Sequence, residues 1–139
     1  MTLAPFHLAI PVDDLAKAEA FYGGLMGCPQ GRRSDQWIDF DFFGHQLVTH
    51  LAPEECRPAE KNAVDGKDVP VKHFGVVLDP DDWRALADRL EAAGTDFVIA
   101  PYTRFEGEPG EQGTFFLLDP ARNALEFKCF RDRSQLFAA

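Results

Sequence analysis

His7, His73 and Glu126 lie far apart in this chain but could take part in the same chemistry. His7 opens the stretch FHLAIPV and His73 the stretch KHFGVVL, and each stretch is followed by acidic residues, DD and DPDD. In an extended strand, successive side chains point to opposite faces. Leu8, Ile10 and Val12 then share one face, and His7, Ala9 and Pro11 the other. Phe74, Val76 and Leu78 are separated in the same way from His73 and Gly75. In ALEFKCF, Leu125 and Phe127 part from Glu126 and Lys128. The bulky apolar sets need helices to pack on, so the histidines and Glu126 take the opposite face. Ala9 and Gly75 leave room there for a cavity. A lone ionised carboxylate between Leu and Phe is costly to bury, and it needs a cation, a proton or water. A divalent metal shared with two imidazoles would satisfy it. Two histidines and one carboxylate form a facial set with about three positions open on an octahedral ion. Such a set suits Fe(II) first, with Mn(II), Zn(II) or Ni(II) as alternatives.

The elements that must position these residues can be read along the chain. After the first histidine strand, Leu15, Ala18, Tyr22, Leu25 and Met26 recur at helical spacing. Asp13 or Asp14 can cap this helix, and Gly23, Gly24 and Gly27 weaken or end it. After the second, Trp83, Leu86, Ala87 and Leu90 form the same kind of face. Asp79 stands at the N-cap, Pro80 at the first position and Gly94 at the stop. Strand-like stretches follow each helix: residues 36–44 and 45–51 in the first half, then 96–105, TFFLLDP and 121–130 in the second. Each half therefore reads as strand, helix and further strands. Module 1 spans about residues 5–51 and module 2 about 71–130. A polar linker without a periodic face lies over about 52–70, and 131–139 form a tail.

The bulk composition narrows the function classes. A chain of 139 residues with 45% hydrophobic and 27% charged residues fits one soluble domain. A net charge of −9 repels phosphate backbones and argues against nucleic acid as a partner. No apolar run is long enough to span a bilayer, and no signal-peptide pattern opens the chain. Cys28, Cys56 and Cys129 are odd in number and form no CxxC pair, which points to a reducing cytoplasm rather than a disulfide framework.

With AFY, FFLLDP and NALEF added to the two histidines and Glu126, residues 5–130 resemble the vicinal oxygen chelate superfamily. That superfamily includes glyoxalase I, extradiol dioxygenases, fosfomycin-resistance transferases and bleomycin-binding proteins. The resemblance implies an α+β fold of two βαβββ modules, forming a cupped mixed sheet with helices outside. It also implies a metal held by His7, His73 and Glu126. DPARN departs from the usual DPxGN turn by placing Arg122 where glycine is common. Val48 falls at the position matching Glu126 in the first module, where glyoxalase-like members carry a Glu or Gln ligand, and this weakens the glyoxalase reading. The stretch RFEGEPGEQGTFFLLDP is most similar to small proteins described as extradiol-type dioxygenases. The implied activity is oxygenation of a small diol or catechol-like substrate chelated to the metal. A metal-assisted isomerase, lyase or transferase is the alternative, and a small-molecule binding protein the second.

His50, on the metal-facing side of its strand, is a candidate fourth ligand or proton carrier. Tyr102 could hydrogen-bond a substrate oxygen. Arg104 could clamp a carboxylate, and Phe115 could wall an aromatic ring. Small sheets leave edges that pair, so a homodimer is expected, with no membrane partner.

Overall fold

The computed structural model describes residues 3–58, 60–64 and 66–139. Their contacts divide into two units, Met1–Pro58 with Asp119–Asn123, and Ala59–Leu118 with Ala124–Ala139.

Unit 1 holds β1 (His7–Val12), α1 (Leu15–Ala18), β2 (Gln30–Arg33), β3 (Trp37–Phe42) and β4 (His45–Leu51). The strands form one sheet in the order β1-β4-β3-β2, with β1 parallel to β4 and the rest antiparallel. Asp14 caps α1, its carboxylate accepting from the Lys17 N–H at 3.0 Å. The helix continues with π geometry over Glu19–Leu25, where the adjacent Gly23 and Gly24 make regular α-turns easy to leave. The expected apolar parity holds. Ile10, Val12, Ile38, Phe40, Phe42 and Leu47 are buried together with Phe21, Tyr22 and Met26 of the helical segment. β3 and β4 meet at a tight turn where Phe43 and Gly44 both have positive φ and Asp41 accepts from the Gly44 N–H at 2.7 Å. The short strand β2 adds to the expected set; its four residues are all exposed and carry no alternating apolar signal.

Unit 2 repeats the plan. β7 (Val77–Leu78), α2 (Pro80–Ala92), β8 (Ile99–Arg104), β9 (Gln112–Leu118) and β10 (Ala124–Phe130) form a sheet in the order β7-β10-β9-β8. The parallel pair is again first strand against last. α2 sits on the face of Phe115, Leu117, Leu125 and Phe127. All four are fully buried, and the Trp83 indole N–H donates to the Phe127 carbonyl at 2.9 Å. Asp79 occupies the N-cap position in extended geometry, but its carboxylate pairs with Arg133 at 2.6 Å instead of capping the helix.

Two expectations change in this unit. The strand foreseen over 72–78 is regular only at Val77–Leu78. Phe74 adds a single bridge to Leu125, with its N–H on the Ala124 carbonyl and its own carbonyl taking the Glu126 N–H. Between Phe74 and Val77, Gly75 lies so close to Glu126 that a Cβ there would stand 1.6 Å from the Glu126 carbonyl oxygen. The region foreseen as a linker over 52–70 instead carries a 3-10 turn at Pro53–Glu55 and a hairpin, β5 (Glu60–Val64) with β6 (Lys67–Val71). Val69 of this hairpin buries itself with Ile99 and Phe116, on the sheet face that α2 leaves open.

No helix among the described residues is long and apolar enough to cross a membrane.

Candidate metal centre

In unit 2, His73 and Glu126 meet. His73 Nε2 stands 3.2 Å from Glu126 Oε1, and the two side chains are 30% and 13% exposed. His73 Nδ1 lies 2.6 Å from the Pro70 carbonyl oxygen. That oxygen can only accept, so Nδ1 carries a proton and Nε2 is the ring nitrogen turned to the carboxylate. The other carboxylate oxygen, Oε2, accepts from the Thr114 hydroxyl at 2.5 Å. Nε2 and Oε1, two atoms that can each offer a lone pair, therefore converge. They need a proton or a cation between them. Metal–ligand bonds of about 2.1 Å at angles of about 90–110° place neighbouring ligand atoms roughly 3.0–3.4 Å apart, so this spacing fits two ligands of one ion. The Phe116 ring stands edge-on to His73, 5.1 Å between centroids, and walls the pair.

In unit 1, His7 is exposed at the start of β1 and sits directly opposite Gln46 of β4. Its Nδ1 lies 2.8 Å from Gln46 Oε1, so this imidazole too donates from Nδ1. The register makes the two units equivalent at these points. His7 stands opposite Gln46, two residues before Val48. The bridge of Phe74 to Leu125 puts His73 level with Ala124, two residues before Glu126. Val48 thus occupies the place of Glu126, as the sequence alignment of the halves suggests, and it is buried. No group of three or more His, Cys, Asp or Glu side chains able to hold a metal is gathered among the described residues. The structure brings two of the three expected ligands together, with His7 at the corresponding place in the other unit.

The remaining candidates are placed by the register of their own sheets. His50 shares the face of His7 but pairs with Pro11 and Trp37, four residues further along the strand. At about 3.3 Å per residue that is roughly 13 Å, too far for the two imidazoles to be neighbouring ligands. Tyr102 lies opposite Thr114, on the face of Glu126. It is half-buried against the Val69–Ile99–Phe116 cluster, with Lys67 Nζ 4.9 Å from its ring centroid. Arg104 lies two positions further out, opposite Gln112, with its guanidinium over the Phe105 ring at 5.0 Å.

Phe115 must be corrected. It pairs with Phe127 and stacks on it at 5.5 Å with 29° between the planes, fully buried on the α2 face. The aromatic that meets the metal-facing side is its neighbour Phe116, opposite Glu126. A ring on the helix side cannot touch a substrate beside Glu126. The missed residues, Gln46, Thr114 and Phe116, all obey the alternation already used for the histidines. The register of β9 on β10, fixed by the turn at residues 119–123, was the signal that would have found the last two.

That turn explains much of the motif string. The Asp119 carboxylate is buried and accepts from Tyr22 Oη at 2.7 Å, from Asn123 N–H at 2.8 Å and from Asn123 Nδ2 at 2.9 Å. Asn123 Nδ2 also reaches the Pro11 carbonyl at 2.8 Å. Burial pushes the Asp119 carboxyl above its ordinary value despite these donors, and burial followed by the Asp119 charge pushes the Tyr22 hydroxyl well above its own. Arg122 adopts φ of 70°, so the turn keeps the left-handed residue that glycine usually supplies.

Solved structures with the same architecture cover nearly the whole chain. A glyoxalase/bleomycin resistance protein/dioxygenase from Alicyclobacillus acidocaldarius is 36% identical, with 96% of each chain covered and a TM-score of 0.78. A lactoylglutathione lyase from Agrobacterium tumefaciens is 23% identical, covering 91% of this chain and 92% of its own, with a TM-score of 0.64. The genomically encoded fosfomycin resistance protein FosX from Listeria monocytogenes is 15% identical, covering 98% and 100%, with a TM-score of 0.70. The last two likenesses speak for the fold alone. No curated protein matches the chain. The duplicated strand order, the paired histidine strands and the DPARN turn accord with a family match over residues 4–127, and the chain belongs to the Glyoxalase/Bleomycin resistance protein/Dioxygenase superfamily.

Proposed function

We propose that this protein is a metal-dependent oxygenase of extradiol type. Its substrate is a small diol or catechol-like molecule that chelates a divalent ion through two oxygens. The ion is Fe(II) in the first place, with Mn(II), Zn(II) and Ni(II) as alternatives, and its ligands are His7 Nε2, His73 Nε2 and Glu126 Oε1. The observation that carries this reading is the convergence of Nε2 and Oε1 at 3.2 Å with their other atoms already engaged. Val48 in place of a fourth ligand leaves more of the ion open to a chelating substrate and O2, which favours this reading over a glyoxalase-like one. When bound, such an ion supplies Lewis acidity and a route for electrons from the diol to O2.

The chain's own groups do the rest. The Phe116 ring and the Val69 cluster form an apolar wall for an aromatic substrate and keep water from it. Tyr102, opposite Thr114 on the face of Glu126, is the proton-carrier candidate in the second unit, and Arg104 offers a positive charge for a carboxylate at the outer end of the same face. His50 is the corresponding candidate in the first unit. The protein acts as a homodimer in the cytoplasm.

The test begins with protein loaded anaerobically with Fe(II) and desalted. Wild type should hold about one ion per chain, and Glu126→Ala close to none. Loaded wild type should then consume O2 with a panel of catechols and give the yellow ring-opened product. Turnover of an epoxide or thiol adduct with Mn(II) or Ni(II), without O2 uptake, would assign the metal-assisted isomerase, lyase or transferase reading instead. Tight binding of an aromatic ligand that survives Glu126→Ala would leave a binding protein.

A further inference from the structure

Resting on the metal reading above, we propose that Gln46 and Thr114, with the Pro70 carbonyl, are positioning residues that decide which atoms the three ligands present. Each expected ligand has one polar atom facing its metal side and one held from behind. His7 Nδ1 is held by Gln46 Oε1 at 2.8 Å, His73 Nδ1 by the Pro70 carbonyl at 2.6 Å, and Glu126 Oε2 by the Thr114 hydroxyl at 2.5 Å. The three supports differ in chemistry but act alike. An acceptor behind an imidazole fixes the proton on Nδ1 and leaves Nε2 as the donor to an ion. A donor behind a carboxylate occupies one oxygen and leaves the other, so Glu126 binds through one atom.

The supports are themselves anchored. Gln46 is set by β4 lying parallel to β1, its N–H on the Phe6 carbonyl at 2.9 Å. Thr114 is buried in the centre of β9, between Lys128 and Tyr102 in register. Pro70 belongs to the β5–β6 hairpin, and its neighbour Val69 is buried with Ile99 and Phe116. Imidazole ligands held from behind in this way are oriented and made more basic, and loss of such a partner typically weakens metal binding about 10–100-fold.

The experiment uses full-length wild type, Gln46→Leu, Thr114→Val and Thr114→Ser. In metal-free protein with 15N-labelled histidine, long-range proton–nitrogen spectra should show His7 and His73 both protonated at Nδ1. Gln46→Leu should mix the tautomers of His7 and leave His73 unchanged. In Co(II) titrations followed by the visible spectrum, Gln46→Leu and Thr114→Val should each bind about 10–100-fold more weakly than wild type, with altered ligand-field bands. Thr114→Ser, which keeps the hydroxyl, should return the wild-type spectrum; a merely structural Thr114 would not follow the hydroxyl in this way. Wild type that binds Co(II), with Gln46→Leu and Thr114→Val binding as tightly and with the same spectrum, would overturn this inference alone. An Nε2-protonated His7 or His73 in wild type would overturn it as well. Wild type that takes up no Co(II) would overturn the metal reading and this inference together.

Discussion

Single residues in this protein divide into those that hold a turn and those that face the candidate ion, and the buried acid Asp119 belongs to the first kind. Its carboxyl is raised by burial, so the folded state binds a proton there more tightly than the unfolded chain does. Its effect on stability therefore runs downward as pH rises from the ordinary carboxylate value through the folded one, and is flat above. The Tyr22 hydroxyl offsets part of that penalty by donating to the ionised form. Tyr22→Phe should cost about 1–3 kcal/mol at pH 7, where a buried charge loses a donor, and about 1 kcal/mol near pH 4, where the carboxyl is protonated more often. Urea unfolding at both pH values checks this, and an equal loss at the two would show that Asp119 is not the partner that matters. Three residues along, Arg122 holds φ of 70°, a conformation that costs a side-chain-bearing residue about 1–2 kcal/mol. Arg122→Gly should relieve it, less the extra freedom glycine gains in the unfolded chain, for a net gain of up to about 1 kcal/mol in the same measurement.

Elements show where reading the sequence succeeded and where it could not. Alternation in β1, β3 and β10 and helical spacing in α2 located the apolar faces, because each element packs one face on a helix and the period alone reveals which. His73 and Glu126 were legible for the same reason: parity put both opposite the packed face, and there they meet. The β5–β6 hairpin was not legible, since it is polar and built by pairing with itself, although the VDGK stretch carries a DG turn signal. Phe115 and Phe116 could not be separated by composition; only the register of β9 on β10 distinguishes the wall from the core. Near His73 the strand is irregular, and Gly75 there approaches the backbone of Glu126 closely. An added Cβ would stand 1.6 Å from a carbonyl oxygen that a hydrogen-bonded strand holds in place. Gly75→Ala should therefore lose more than about 3 kcal/mol or fail to fold. Gly113→Ala meets only the side chains of Cys129 and Trp83 at 3.0 Å, which can shift, and should lose about 1–3 kcal/mol. Denaturant midpoints of the two variants decide between them, and a Gly75→Ala protein as stable as Gly113→Ala would mean the strand beside Glu126 is free to move.

At the scale of the molecule, one plan is used twice and altered at one place. Both units run first strand against last, and both begin with a histidine held at Nδ1, but only the second has a carboxylate where the first has Val48. On the metal reading proposed above, the one carboxylate and the two histidines serve one ion. No group of three such side chains is gathered among the described residues, and in the homodimer proposed above the set can be completed by the His7 of the same chain or by that of a second copy. Mixing two inactive variants tests this directly. His7→Ala lacks the histidine of unit 1 but keeps His73 and Glu126, whereas Glu126→Ala keeps His7. In a two-fold dimer that shares its sites, a mixed pair rebuilds one whole site and leaves the other doubly broken. Random exchange makes about half the dimers mixed, so metal content should return to about a quarter of wild type. Fe(II) per chain, measured after co-refolding the two variants together and separately, gives the answer. Recovery only in the mixture places the ligands on two chains; a mixture as empty as its components places them on one.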